Sequence, residues 1–85
     1  MVGIRVDHFL RIIVKYFAKL DVNNVVLGVV AVNDGDAPTE AVGATFLMNL
    51  LGDQSWIECS YDASFRGMYP GIGNTYDPIL DIFVP

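Results

Sequence analysis

The sequence predicts an α+β fold in which a small antiparallel sheet of about four or five strands, made from two hairpins, is covered by one helix. Two β-rich runs, residues 14–20 and 25–32, flank the turn-forming residues 21–24, which predicts the first hairpin. An apolar run at residues 37–51, bounded by turn-forming residues, predicts the helix. Short alternating runs around residues 73–84 predict the second hairpin.

The size and composition indicate a single small domain with more apolar surface than it can bury. The chain has 85 residues, of which 53% are hydrophobic, and its mean hydropathy is +0.43. A domain of this size buries only about 60–65% of its unfolded surface. Surplus apolar surface usually serves to bind a partner. One cysteine, Cys59, and one histidine, His8, allow neither an intramolecular disulfide nor a structural zinc site.

Charge divides the chain into two segments. The net charge is −5, which argues against binding of the whole chain to nucleic acid or to an anionic membrane. Residues 1–19 hold four of the five cations against Asp7, a balance of +3, whereas residues 20–85 hold nine acids against Arg66, a balance of −8. We therefore divide the chain into a basic amphipathic arm, residues 1–15, and an acidic α+β body, residues 16–85.

The arm has two possible secondary structures. Its apolar residues recur at helical spacing, and its basic residues share another face; the apolar set is Val6, Phe9, Leu10 and Ile13, and the basic set is Arg5, His8, Arg11 and Lys15. A strand is the alternative, because residues 12–14 are β-branched.

The arm also has three possible docking sites: its own body, a neighbouring subunit or a membrane surface. We expect interface contacts from Arg5, Phe9, Leu10, Arg11 and Ile13. Charges interrupt the apolar run, so a secretory signal is not expected. No apolar run approaches the about 20 residues that a membrane span requires.

The predicted helix has recognisable end signals. Asp36 is the expected N-cap, Pro38 suits the first turn, and Gly52 is expected to end the helix in a left-handed conformation. An apolar stripe is expected to pack on the sheet, which no other element could cover; it comprises Val42, Phe46, Leu47, Leu50 and Leu51. A third strand is predicted at residues 55–61.

Motifs with catalytic or metal-binding potential are fragmentary. Residues 33–36 lack the remaining ligands of a calcium loop, and Gly71-Ile72-Gly73 lacks the rest of a dinucleotide fingerprint. Cys59 and His8 could form a nucleophile and base, but no motif surrounds them, and a buried thiol is the simpler interpretation. We predict no catalytic, cofactor-binding or metal-binding residues and no enzymatic activity.

A loop in the C-terminal third is the expected contact surface. Residues 62–71 are rich in Gly and Pro and contain Phe65, Arg66, Met68 and Tyr69. Aromatic residues, Met and Arg are enriched in interface cores. The alternative is that these side chains fill the core beneath the loop.

Several local patterns resemble a group of small proteins from tailed bacteriophages, best represented in phages of marine cyanobacteria. The patterns are Phe17-Ala18-Lys19-Leu20-Asp21-x-Asn23-Asn24, Trp56 ahead of Ser60-Tyr61, Gly71-Ile72-Gly73-x-Thr75-Tyr76-Asp77 and Asp81-x-Phe83-x-Pro85. The resemblance covers residues 16–85. Members of the group typically have Asn at the position of Asp62 and begin near Tyr16, so the arm is a departure from them.

The resemblance implies a virion-associated structural role with no catalytic residues. The expected function is that of a capsid decoration or tail-associated protein, located in the virion after synthesis in the host cytoplasm. Its expected partners are other copies of itself or phage capsid or tail proteins. The alternatives are a soluble phage accessory module that binds a host protein, and an oligomeric protein that binds a small ligand.

Overall fold

The computed structural model describes residues 14–52 and 54–85. Three strands form one antiparallel sheet: β1 (Val14–Leu20), β2 (Val26–Asn33) and β3 (Ser55–Cys59), in the order β2-β1-β3. β1 lies in the centre, so it pairs on both sides. The arm predicted for residues 1–15 lies outside the described residues except for its last two, which begin β1.

The described residues also form one α-helix and a second, smaller sheet. α1 (Glu40–Leu51) connects β2 to β3, and β4 (Thr75–Asp77) pairs with β5 (Ile82–Val84). An antiparallel bridge between Val25 and Thr75 joins β4 to the start of β2. The α+β class predicted from the sequence is confirmed, with the five strands divided between two sheets.

The first hairpin forms where the sequence predicts it. The Asp21 carboxylate accepts hydrogen bonds from the backbone N–H groups of Asn23 (2.8 Å) and Val25 (2.9 Å). Asn24 adopts φ 63°, a conformation that asparagine tolerates better than most residues. These local bonds fix the turn, and the long run of pairing between β1 and β2 follows from it.

The central sheet is buried on both faces. Because side chains alternate along a strand, Phe17 faces one layer while its neighbour Ala18 faces the other, and both are fully buried. The first layer contains Phe17, Val32, Ala37, Leu47 and Trp56. The second contains Ala18, Leu20, Val26, Cys59 and Phe83.

The prediction that only the helix could cover the sheet is therefore wrong. α1 covers the face that carries Phe17, whereas the loop after β3 and the β4–β5 hairpin cover the opposite face. Met68, Tyr69 and Tyr76 pack there against the buried cluster that includes Phe83. The C-terminal third thus forms a third layer, which its aromatic content makes possible.

The N-cap of the helix lies three residues later than predicted. Asp34–Asp36 form a separate 3₁₀ turn, so Asp36 cannot cap α1. Thr39 is the N-cap, and its hydroxyl accepts a hydrogen bond from the N–H of Val42 (3.2 Å). Pro38 accordingly precedes the helix. Gly52 is the C-cap at the predicted position, but the predicted left-handed conformation is wrong, because its φ of 122° is combined with a ψ of 171°.

The predicted apolar stripe of α1 is only partly buried. Gly43 and Leu47, one turn apart, form the buried face, and Phe46 packs beside them. The exposed fractions of the other three stripe residues are 49% for Val42, 64% for Leu50 and 50% for Leu51. The stripe faces the sheet as predicted, but within the described residues only Phe46 and Leu47 of the stripe pack against the core.

The third strand and the closing hairpin are shorter than predicted. β3 ends at Cys59 because the Ser60 hydroxyl bonds to the side chains of Asp62 and Ser64 and so starts a turn. β4 and β5 form the predicted second hairpin, with three residues in each strand.

Lys15 anchors the connection that leads into α1. Its ammonium donates to the carbonyl oxygens of Ala37 (2.6 Å) and Pro38 (3.0 Å) and lies 3.1 Å from the carboxylate of Asp34. The side chain therefore ties the first strand to the start of the helix, which lies on the same face of the sheet.

Gly43 allows α1 to approach the sheet closely, which gives a test of this packing. A Cβ at this position would lie 2.5 Å from Cζ of Phe17 and 2.7 Å from Cβ of Ala37. We expect Gly43→Ala to destabilise the fold: overpacking costs about 1–3 kcal/mol, more than the gain of about 0.5–1 kcal/mol from better helix propensity.

The measurement is thermal unfolding followed by circular dichroism, with an expected fall of roughly 4–8 °C for a net loss of about 1 kcal/mol. Gly35→Ala is the control, because a Cβ at Gly35 meets no atom within 4 Å. An equal or higher midpoint for Gly43→Ala than for Gly35→Ala would contradict the packing.

Candidate interaction site

Arg66, predicted as a contact residue, directs its guanidinium into the chain. Two of its nitrogens form a fork on the carboxylate of Glu40 in α1, at 2.8 and 3.1 Å. Its Nε donates to Asp81, just before β5, at 2.7 Å. Such bidentate pairs have a fixed geometry as well as a charge. One side chain therefore connects the loop, the helix and the second hairpin.

The same pair closes the open edge of β3. The N–H of Glu58 donates to Glu40 (2.9 Å), and the carbonyl of Glu58 accepts from Arg66 (2.8 Å). In an antiparallel strand, the two backbone groups of one residue point to the same side, so both groups of Glu58 point away from β1. The Glu40–Arg66 pair takes the place of a neighbouring strand there, which protects the edge from pairing with another chain.

Asp81 extends this network to an aromatic ring. It accepts from the hydroxyl of Tyr76 as well as from Arg66, and the Arg66 guanidinium carbon lies 6.0 Å from the centre of the Tyr76 ring. The hydrogen bonds from Tyr76 and Arg66 hold the pKa of Asp81 below its ordinary value. Burial, and then the bond to Asp81, raise the pKa of Tyr76.

These contacts use most of the hydrogen-bond donors of Arg66 that a partner could otherwise bind. Its side chain is 16% exposed. Burial opposes its charge, but hydrogen bonds to Glu40 and Asp81 outweigh that effect and raise its pKa. The backbone also takes part, because the Arg66 carbonyl accepts from the N–H groups of Met68 and Phe83, each at 3.0 Å. Arg66 thus positions the loop, and its direct contact with a partner stays a prediction.

The other loop residues divide between core and surface. Met68 and Tyr69 are half-buried against the second layer of the core, as the core-filling alternative predicts. Phe65 is 42% exposed and Tyr61 is 71% exposed. The ring of Tyr61 lies 5.3 Å from that of Tyr69, which in turn lies 5.7 Å from the ring of Tyr16. Phe65 and Tyr61 are the aromatic side chains here with free surface.

The predicted contact residues of the arm cannot be placed. They lie outside the described residues, so their interface role stays a prediction; they are Arg5, Phe9, Leu10, Arg11 and Ile13.

The sequence interpretation missed an exposed apolar surface on α1. Leu50 and Leu51, three and four residues after the buried Leu47, lie on the same side of the helix as Leu47 but remain exposed. The signal was present in the sequence: Glu40–Leu51 contains one charged residue, and a helix that is apolar on most sides is usually covered. The sequence prediction assigns the whole apolar stripe to the core, so it does not separate the exposed residues of α1 from the buried ones.

Cys59 does not have the properties of a nucleophile. It is 2% exposed, and burial raises its pKa to about 12. The thiolate is the reactive form, so this thiol is inert at neutral pH. Burial also raises the pKa of the neighbouring Glu58. Within residues 14–52 and 54–85, no group of three His, Cys, Asp or Glu side chains is arranged to hold a metal ion.

α1 is too short to cross a bilayer, and no helix in the described part of the chain has the length and apolar character of a membrane span.

In comparisons with known proteins, no family model, no curated protein and no solved structure matches this chain.

The network around Asp81 predicts a dependence of stability on pH. A folded-state pKa below the ordinary value of 3.8 means that ionised Asp81 stabilises the fold above that pH. The contribution is lost as the pH falls through the lowered pKa. We therefore expect Asp81→Asn to lower the melting temperature at pH 7 and to make its decline below about pH 4 shallower.

Glu58→Gln is the matched control with the opposite sign. The pKa of Glu58 is raised, so its ionised form is disfavoured in the folded state, and its replacement should leave the stability at pH 7 equal or higher. The measurement is the thermal midpoint at a series of pH values. Parallel curves for wild type and Asp81→Asn would show that Asp81 does not titrate as described.

Proposed function

We propose that this chain is a non-enzymatic bacteriophage structural protein, a capsid decoration or tail-associated component that binds neighbouring subunits of the virion. The placement in a virion is supported by the sequence patterns at residues 17–24 and 71–77, which resemble small phage proteins. The binding role is supported by the distribution of apolar surface in the described residues.

The exposed part of the α1 stripe carries this proposal. Val42, Leu50 and Leu51 recur at the spacing of a core-facing stripe, yet about half or more of each side chain is exposed. Burying a leucine contributes about 1.5–3 kcal/mol, so these residues leave a substantial stabilisation unused in the isolated chain. A neighbouring subunit that covers these side chains would gain that stabilisation.

The aromatic loop provides a second contact of a different kind. Phe65 and Tyr61 present ring surface beside the half-buried Tyr69. The backbone beneath them is held by Arg66 through its bonds to Glu40 and Asp81. A loop ordered before it binds loses less conformational entropy on association, which favours affinity.

Two variants that introduce the same charge at exposed positions test the α1 surface. Leu50→Lys places a charge in the proposed contact, whereas Ile79→Lys places the same charge on a residue that is 91% exposed in the turn between β4 and β5. We expect both to fold, as shown by unchanged circular dichroism. We expect Leu50→Lys alone to weaken incorporation into particles by at least about tenfold, the equivalent of about 1.4 kcal/mol.

The measurement is the amount of each variant that copurifies with phage particles, together with its native mass in solution by light scattering. The proposal is wrong if the wild-type chain is a monomer that is absent from purified particles. Recovery with a host protein and not with particles would instead support the accessory-module alternative.

A further inference from the structure

A groove beside α1 has properties that match the N-terminal arm. It is a shallow depression of about 520 Å³, open to solvent, between the helix and the 3₁₀ turn, and its wall includes Val42 and Phe46 from the helix and Asp36 from the turn. Val42 is 49% exposed, and Phe46 is half-buried. Along the helix, the groove presents apolar surface from Val42 and Phe46 beside the polar Thr45 and Asn49, and it is acidic at one end.

The arm has the complementary pattern. Its apolar stripe runs from Val6 to Ile13, with Arg5 and Arg11 beside it. In helical form, this stripe is about 10 Å long at 1.5 Å per residue. The groove side of α1, from Ala41 to Asn49, is about 12 Å long by the same measure, which is long enough for the stripe. An amphipathic helix in an apolar groove is a common mode of peptide recognition.

Charge favours the same pairing. Asp34 is paired with Lys15 at 3.1 Å, but Asp36 has no ion pair with any residue in the described ranges. By formal charge, residues 1–13 hold Arg5 and Arg11 against Asp7, a balance of +1, and residues 14–85 hold three cations against nine acids, a balance of −6. The arm is the segment with a positive balance, and Asp36 is an acid at the groove that none of the described cations neutralises.

The connection between arm and body favours a groove on another copy. Val14 pairs with Asn33, which directly precedes the 3₁₀ turn at the end of the groove. To enter its own groove, the arm would have to reverse direction immediately before Val14. Residues 8–16 contain no Gly, Pro, Asn or Asp, the residues that form tight turns.

We infer that the arm of one copy docks in the groove of a second copy, with Phe9 and Ile13 against Val42 and Phe46 and with an arm arginine near Asp36. This inference rests on the proposed function in assuming contacts between subunits. It adds the partner, a second copy of this chain, and the site. Since each copy offers one arm and one groove, the contact can form a reciprocal dimer or a head-to-tail array.

Disulfide trapping on the full-length chain tests the inference. One preparation carries Phe9→Cys, and a second, with a larger affinity tag, carries Val42→Cys. The native Cys59 is buried with a pKa of about 12, so it does not compete. The two are mixed with oxidised glutathione, and mixed dimers are identified by mass on a non-reducing gel. The control replaces Val42→Cys by Ile79→Cys, which is more exposed and lies outside the groove.

We expect the mixed disulfide between positions 9 and 42 to form at least about tenfold faster than the control disulfide, because docking raises the effective concentration of the two thiols. Asp36→Lys in the groove chain should slow it, and Arg11→Asp in the arm chain should then restore part of the rate. Trapping no faster than the control would overturn the inference.

A chain that carries both Phe9→Cys and Val42→Cys distinguishes the two docking modes. A disulfide within the monomer would show that the arm occupies its own groove and would overturn the choice of a second copy. The inference and the proposed function can be distinguished. If no trapping occurs but the wild-type chain still copurifies with particles, the docking inference is wrong and the proposed function stands.

Discussion

The fold depends on one guanidinium group. Arg66 is the single cation in residues 20–85, against nine acids, and it bonds to Glu40 on the helix, to the Glu58 carbonyl on β3 and to Asp81 before β5. Each partner belongs to a different element. Loss of the guanidinium would leave a partly buried carboxylate and an edge carbonyl without their donor, which costs more than the bonds alone contribute.

Much of the fold could be predicted because it depends on local signals. Asp21 and Asn24 mark the first turn in the sequence, and the structure shows the bonds that they make. The sequence alone does not identify Thr39 as the helix cap, because Asp36 is also a favoured cap residue. Only the 3₁₀ turn excludes Asp36 from that position. The role of Arg66 could not be predicted, because Glu40 is 26 residues away along the chain and no local pattern links them.

The surface shows how a short chain can have two cores and still expose apolar groups. Its central strand carries Phe17 on one face and Ala18 on the other, both fully buried, so the few remaining elements are divided between two layers. α1 covers one face with Gly43 and Leu47, which leaves Leu50 and Leu51 exposed beyond them. The surplus predicted from composition is therefore spread over the surface of the described residues, and α1 carries one part of it, which a neighbouring subunit could cover.

A double-mutant cycle on Glu40 and Arg66 tests the central claim most directly. The free energy of unfolding would be measured by urea denaturation for wild type, Glu40→Gln, Arg66→Met and the double variant. We predict a coupling energy above about 1 kcal/mol, within the range for residues that share a hydrogen-bonded ion pair. Effects that add to within about 0.3–0.5 kcal/mol would show that the pair does not hold the helix, the β3 edge and the loop together.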